Sequence, residues 1–292
     1  PSGKTFLRWK TLEVHCDSNQ SIQHSPVSKS DSSKMPELSF DRLQLSDQEY
    51  CGFERRNFDR FVAREAVLDE EYWTAAWLRA EAHWESLTYM RYAQLNKTTE
   101  TFVFQQEEKK CFTGLEFYAL KRRCAGQDGN SLKCFCFVAV KKEEKKVRRT
   151  VLSSVVGTLD LSIRQFLRGE TYPGEVKRLS AVLASPEPFD AHKYAYVANV
   201  CVSKFARRKG IASNMLYLAT DVATSAGMKQ LFVHVNADNK PAQDLYRKTG
   251  FKSIDDAIRN NENSVNIMDE DDETLEVVLP GDGCLNQYLR TS

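Results

Sequence analysis

The spacing of apolar positions changes period several times along the chain, and each change marks an element. Residues 38–45 alternate apolar and polar positions and predict a first strand. Phe58, Phe61, Val62, Ala66 and Leu68 then recur at helical spacing, followed by Tyr72, Trp73, Ala76, Trp77, Ala80 and Trp84. A break near Leu68, with Asp69 as a cap, predicts two helices over 57–85. Residues 96–131 are polar and mixed and read as an insertion. Alternation returns over 132–140 and 151–161, the second and third strands of an antiparallel pair joined by the charged connection 141–149. Three prolines, Pro173, Pro186 and Pro188, make 169–189 a long irregular connection.

The downstream half is more regular. A fourth strand over 194–202, a helix over Ile211–Ser225, a fifth strand over Gln230–Asn236 and a helix over 241–249 follow one another, with 251–254 and 274–279 as a closing hairpin. Antiparallel strands followed by strands alternating with helices predict a mixed α/β fold. The acidic run 269–273 reads as a solvated loop, and no internal repeat is present. The aromatic stripe of Tyr72, Trp73 and Trp77 reads as core packing before a channel lining.

Composition narrows the class. The 292 residues hold 41% hydrophobic positions, enough for a sizeable core. Lys+Arg 41 against Asp+Glu 40 gives a net charge of +1, which argues against a dedicated nucleic-acid binder. No apolar run is long enough to span a bilayer. The eight cysteines lack paired metal-ligand spacing, so they read as reduced thiols and no metal is expected; Cys134 and Cys136 share one face of a strand. Residues 1–36 are Ser-rich, basic and poor in acids, the composition of an organelle transit peptide or of an ordinary disordered tail. The expected domain then covers 37–292, with the polar insertion inside it.

The candidate chemistry lies where the fourth strand meets the next helix. Arg207-Arg208-Lys209-Gly210-Ile211-Ala212 is a basic turn with one glycine ahead of a helix. Unpaired N–H groups and the positive dipole end of a helix N-terminus can hold a phosphate. Gly210 and small Ala212 let a ligand approach the backbone closely. The turn is too short for a Walker loop and lacks the three glycines of a dinucleotide fingerprint. A second block follows, with Asn239 as a cap candidate, Tyr246 within the helix, and Gly250-Phe251 closing it.

The two blocks together resemble the GNAT superfamily of acetyl-CoA-dependent N-acetyltransferases, over roughly residues 150–280. Arg207-x-x-Gly210-x-Ala212 stands at that family's pyrophosphate loop, with Ala212 in place of the commoner glycine. Asn239-x-x-Ala242-x-x-x-Tyr246-x-x-x-Gly250-Phe251 stands at its second cofactor motif.

The resemblance implies a central mixed sheet flanked by helices, splayed between the fourth and fifth strands. Acetyl-CoA would lie along backbone groups of Val200, Cys201 and Val202. The N–H groups over Arg208, Lys209, Gly210, Ile211, Ala212 and Ser213 would meet its pyrophosphate beside Arg207, and Asn239, Lys240 and Pro241 would flank it. Tyr246 stands where the family places the donor to the departing sulfur. A phenol near pKa 10 and a thiol near 8.5 leave full proton transfer uphill by roughly 2 kcal/mol, so a hydrogen bond to the thiolate suffices. Tyr196 and His234 match a base pair of one branch of eukaryotic N-terminal acetyltransferases.

Plant plastid members, which the whole domain resembles, act on protein N-termini and lysines, so both are the implied acceptors and the plastid the implied compartment. Mitochondrion and cytoplasm stay open as alternatives. So do a small-amine acetyltransferase for arylalkylamines or polyamines, a non-catalytic acetyl-CoA-binding module, and any oligomeric state.

Overall fold

A computed structural model describes residues 38–52, 54–86, 99–127, 131–143, 148–166, 170, 172–173, 192–254 and 272–278; at 86, over 99–108, and over 272–278 apart from Leu275, it describes the backbone alone. The Ser-rich stretch 1–36 lies outside the described residues, as do most of 169–189 and the greater part of the acidic run.

The chain opens its sheet with a hairpin, β1 (Arg55–Phe58) and β2 (Phe61–Glu65). Asp59 turns the corner at a φ of 39°, a conformation Asp tolerates better than most residues. Helix α1 (Asp69–Ser86), helix α2 (Thr99–Cys124) and β3 (Lys133–Lys141) follow. A single helical turn, α3 (Val151–Ser154), leads into β4 (Val155–Gln165). Then come β5 (Lys193–Val202), α4 (Ile211–Ser225), β6 (Gln230–Asn236), α5 (Lys240–Lys248), β7 (Lys252–Ser253) and β8 (Asp272–Val278).

The strands form one sheet in the order β1-β2-β3-β4-β5-β6-β8-β7. Every pairing is antiparallel except β5 with β6, which are parallel because α4 carries the chain back across the sheet between them. One face is covered by α4 and α5. Ile211, Met215, Leu218, Ala219 and Val222 recur along one side of α4 and pack on Ala63, Phe137, Leu159 and Val197. At Gly157 of β4 an added Cβ would lie 3.1 Å from both Ile211 Cγ2 and Met215 Sδ, so the glycine lets α4 seat closely on the sheet. On the other face α1 and α2 bury Tyr72, Ala75, Ala76, Phe117 and Leu120 against Cys136, Val138 and Val155.

Several expectations for the first half are corrected. Residues 38–45 form no strand, making only a single bridge between Leu43 and Thr150. Gln44 turns inward instead and donates from Nε2 to Glu71 Oε1 at 2.6 Å. The first expected helix is the β1–β2 hairpin, because Phe58, Phe61 and Val62 fit helical spacing and a two-residue turn equally well. The polar 96–131 stretch, expected as an insertion, carries the 26-residue α2, whose Phe117 and Leu120 are core residues. The third strand starts at Val155, after α3. Tyr72 is buried and donates to the Ala66 carbonyl, while Trp73 is partly buried and lies edge-on to Phe117. The closing hairpin is present as β7 and β8, with β8 seated between β6 and β7.

Candidate active site

The sheet opens where β5 and β6 part. Their pairing runs only from Ala195–Leu231 to Val197–Val233, although β5 continues to Val202 and β6 to Asn236. Beyond Val197, β5 keeps β4 on one side and leaves its other edge to the opening. The expected splay between these two strands is therefore present.

Tyr196, His234 and Tyr246 converge on it, with Arg164 stacked on the Tyr196 ring. Tyr196 and His234 point to the same side of the sheet from neighbouring strands, and the Tyr196 hydroxyl lies 2.8 Å from His234 Nδ1. The Arg164 guanidinium sits 4.2 Å from the centre of the Tyr196 ring. Tyr246 enters from α5 with its ring in the core, 6% exposed and edge-on to Phe251. Burial raises its phenol above the ordinary value, and proximity to Cys201 and Tyr196 adds to the rise. The hydroxyl thus remains a proton donor across the working pH range. Cys201 is half-buried on the side of the sheet facing α1, where burial pushes its thiol up to about 11. Val200 and Val202 pack on the opposite side, toward α4.

At the far end of the opening, a short 3-10 turn (Lys204–Ala206) leads into the loop ahead of α4. Gly210, at a φ of 70°, is the N-cap of α4, and no side chain caps the helix. The first intrahelical bond is Asn214 N–H to the Gly210 carbonyl. The N–H groups of Ile211, Ala212 and Ser213 precede it and have no partner within the helix. Among the described residues, and apart from its chain neighbours, nothing lies closer than 3.6 Å to a Cβ built at Gly210, so the loop has room above its backbone. Arg208 also takes a positive φ, 64°, while Lys209 Nζ folds back toward the Phe205 carbonyl. An uncapped helix end with open space over its glycine, at the end of a split sheet, fits the pyrophosphate and pantetheine of acetyl-CoA.

Arg207 is held by two contacts within the protein. Its Nε donates to the Val202 carbonyl at 3.0 Å and its Nη2 meets Glu85 Oε2 at 2.9 Å. Lys204 Nζ lies 3.1 Å from the other oxygen of Glu85. Burial opposes the Glu85 charge, and the hydrogen bonds from Arg207 and Lys204 outweigh it, holding the carboxyl below its ordinary range. The last turn of α1 is thereby tied to the loop. In α5, Asn239 serves as the N-cap, its side chain accepting from the Ala242 N–H at 3.3 Å. Lys240 and Pro241 are exposed in the first turn, and Lys240 Nζ reaches Gln243 Oε1 at 3.4 Å.

Sequence reasoning missed the support beneath the site. Arg79 of α1 is buried and donates from Nη2 to Asp160 Oδ1 at 2.6 Å and to Thr158 Oγ1 at 3.0 Å. Its Nη1 meets Glu116 of α2 at 2.7 Å. Asn199 of β5 donates from Nδ2 to Asp160 Oδ2 at 2.9 Å. Burial works against the Arg79 charge, but Asp160 and Glu116 outweigh it and keep the guanidinium ionised. No local pattern announces partners 81 residues apart. Among the described residues, no cluster of His, Cys, Asp and Glu is placed to hold a metal, and no helix is long and apolar enough to cross a membrane.

A mixed sheet split between parallel strands, with an uncapped helix end and a buried tyrosine beside the split, suits an acyl-CoA-dependent transferase. The profile of the Acetyltransferase (GNAT) family matches residues 93–251. Among curated proteins, the chain is 50% identical over 255 residues to GCN5-related N-acetyltransferase 6, chloroplastic, of Arabidopsis thaliana, covering 87% of this chain and 83% of the relative. It is 27% identical over 205 residues to GCN5-related N-acetyltransferase 7, chloroplastic, of the same plant, covering 66% and 67%. Among solved structures, PaiA N-acetyltransferase from Thermoplasma acidophilum in complex with coenzyme A aligns with a TM-score of 0.43 and 14% identity, over 75% of this chain and 98% of that one. The chain belongs to the GNAT family and is an acetyl-CoA-dependent N-acetyltransferase of the plastid.

Proposed function

We propose that the enzyme acetylates protein N-terminal α-amines, and lysine ε-amines more slowly, by direct attack in a ternary complex. The observation that carries this reading is the Tyr196–His234 pair, 2.8 Å apart at the mouth of the splay. A neutral histidine accepting from the tyrosine at Nδ1 leaves the hydroxyl oxygen able to take a proton from an incoming amine as its own moves to the ring. An α-amine titrates near 7.7–8.0 and a lysine near 10.4, so freeing the lysine costs about 3 kcal/mol more at neutral pH. A base of ordinary strength therefore prefers N-termini.

Bound acetyl-CoA supplies an activated thioester. Backbone N–H groups of Ile211–Ser213 hold its pyrophosphate, and Asn239, Lys240 and Pro241 flank it. The edge of β5 at Val200–Val202 aligns its pantetheine arm, with one N–H facing the carbonyl oxygen that becomes negative. Tyr246 donates a hydrogen bond to the sulfur as it leaves. Cys201, with its thiol pushed up to about 11, stays protonated at working pH and is a poor nucleophile, which supports direct transfer over an acetyl-cysteine intermediate.

The test is a panel of free-amine peptides, the same peptides blocked at the N-terminus with a single lysine, and arylalkylamines and polyamines, each incubated with acetyl-CoA and the purified chain. N-terminal peptides should turn over fastest and blocked lysine peptides measurably. Turnover confined to the small amines would replace this reading by the small-amine one.

A further inference from the structure

Side-chain direction along β5 changes phase within the strand. Ala195 and Val197 pack toward α4, and so do Val200 and Val202, so one interval is three residues instead of two. The register with β4 locates the extra residue. Thr158 faces Cys201 and Asp160 faces Ala198, leaving Leu159 opposite both Asn199 and Val200. This is a β-bulge at the point where β6 departs, and Asn199 adopts a left-handed φ of 54° within it.

Without the bulge, every residue beyond it would turn to the opposite face, putting Cys201 toward α4 and Val200 and Val202 toward α1. A left-handed residue costs roughly 1–2 kcal/mol relative to the usual conformation, less for Asn, so something must hold it. The Asn199 amide is fastened to Asp160 Oδ2, and the other oxygen of Asp160 is fastened to Arg79. Arg123 Nη2 lies 3.5 Å from Asp160 Oδ2 and 2.8 Å from Glu116 Oε1, so two cations and two carboxylates close a balanced network from α1 and α2 onto β4. Asp160 is 2% exposed and Arg79 5%, so the anchor is buried where it is charged, while Asn199 itself is exposed at the surface end of it.

We propose that Asn199, held through Asp160 and Arg79, is a positioning residue for acetyl transfer. It locks the β5 bulge so that the backbone N–H groups beside it aim at the thioester carbonyl. The inference rests on β5 being the cofactor strand. The anchor's partners lie on β4, α1 and α2 and not on the helix end that would hold the pyrophosphate, so it bears on turnover and little on affinity.

Two variants separate the anchor from the backbone conformation. Asn199→Asp keeps the shape and the tolerance of positive φ but sets a carboxylate without a donor against Asp160. Its kcat should fall about 100-fold, the size of effect seen when an oxyanion donor is lost, with the calorimetric acetyl-CoA Kd changed less than about threefold. Asn199→Gly takes the left-handed conformation freely but has no anchor, and kcat should fall about tenfold. Wild-type kcat in folded Asn199→Asp overturns the proposal. Should Asn199→Asp fail to fold, Asn199→Gly decides by the same criterion. Failure of both to fold would make the contact a requirement of the fold and likewise overturn a positioning role. The underlying cofactor assignment is tested separately by Gly210→Glu, which places a carboxylate at the helix end; unchanged acetyl-CoA affinity in that variant would remove the cofactor-strand reading itself.

Discussion

Replacing Tyr246 by phenylalanine removes one oxygen from a site whose surroundings are otherwise kept. The ring is 6% exposed, packs on Phe251 and belongs to the core that α5 shares with α4, so phenylalanine fills the same volume. Loss of stability should stay below about 1 kcal/mol. The hydroxyl is asked to stabilise charge that appears on sulfur only as the thioester breaks. A hydrogen bond to a charged group contributes about 1.5–3 kcal/mol, or roughly 10- to 150-fold in rate. Burial in the splay strengthens the bond, so a loss of about 30- to 100-fold in kcat is expected, with the KM for acetyl-CoA within about threefold. Because burial raises the Tyr246 phenol, the alkaline side of the pH–rate profile should be the same in the variant and the wild type up to pH 10. The assay is the steady-state rate with a peptide N-terminus, run in viscogen to establish that chemistry limits turnover. A kcat within threefold of wild type under those conditions would reduce Tyr246 to a packing residue.

Three further outcomes follow from the same geometry. His234→Ala removes the imidazole paired with the Tyr196 hydroxyl; the acidic limb of the peptide pH–rate profile should flatten and neutral-pH turnover fall about 100-fold, and an unchanged limb in the folded variant would place the base elsewhere. Glu85→Gln leaves Lys204 and Arg207 without their counter-charge beside the loop that leads to Gly210. Acetyl-CoA should then bind about threefold tighter at low ionic strength, with the gain disappearing above about 0.5 M salt; weaker binding would mean that the carboxylate holds the loop in shape instead. Cys201→Ala should keep kcat within about threefold, and in the wild type iodoacetamide at pH 8 should label exposed Cys51 and Cys111 well before Cys201; a dead alanine variant together with rapid labelling would favour a covalent route.

What could be read from the sequence tracks how far apart the deciding residues lie. From β5 to α5, each element packs on its neighbour in the chain. The apolar runs, Gly210 at its positive φ and the Asn239 cap report their conformations within a few residues. The first half gives no such local report. Phe58 and Phe61 are partners across a two-residue turn without glycine, and their spacing also suits a helix. Helix α2 interleaves its apolar positions with charges, and part of its attachment is ionic: Glu116 to Arg79, Lys121 to Asp69 and Lys109 to Glu81. Gln44 reads as the polar half of an alternation, yet it is buried on Glu71, which also accepts from Arg64 and from the Val67 and Leu68 N–H groups.

The same division runs through the active site and explains its construction. Groups expected to touch the reactants, Tyr196, His234, Tyr246 and the Gly210 turn, lie on elements whose own sequence announces them. The groups that brace the strand and loop around them are long-range and charged. Arg207 turns to Glu85 across 122 residues, and Asp160 gathers Arg79 from α1 and Asn199 from β5. Buried ion pairs contribute little net stability, because desolvation offsets much of the attraction, while breaking one costs about 3–5 kcal/mol. A pair of that kind is better suited to holding a single geometry than to strengthening a core. Here it lies where one is required: a left-handed residue, a bulged strand and an unpaired sheet edge meet at Asn199, and hydrophobic packing alone has no means of selecting that arrangement over a strand shifted by one residue.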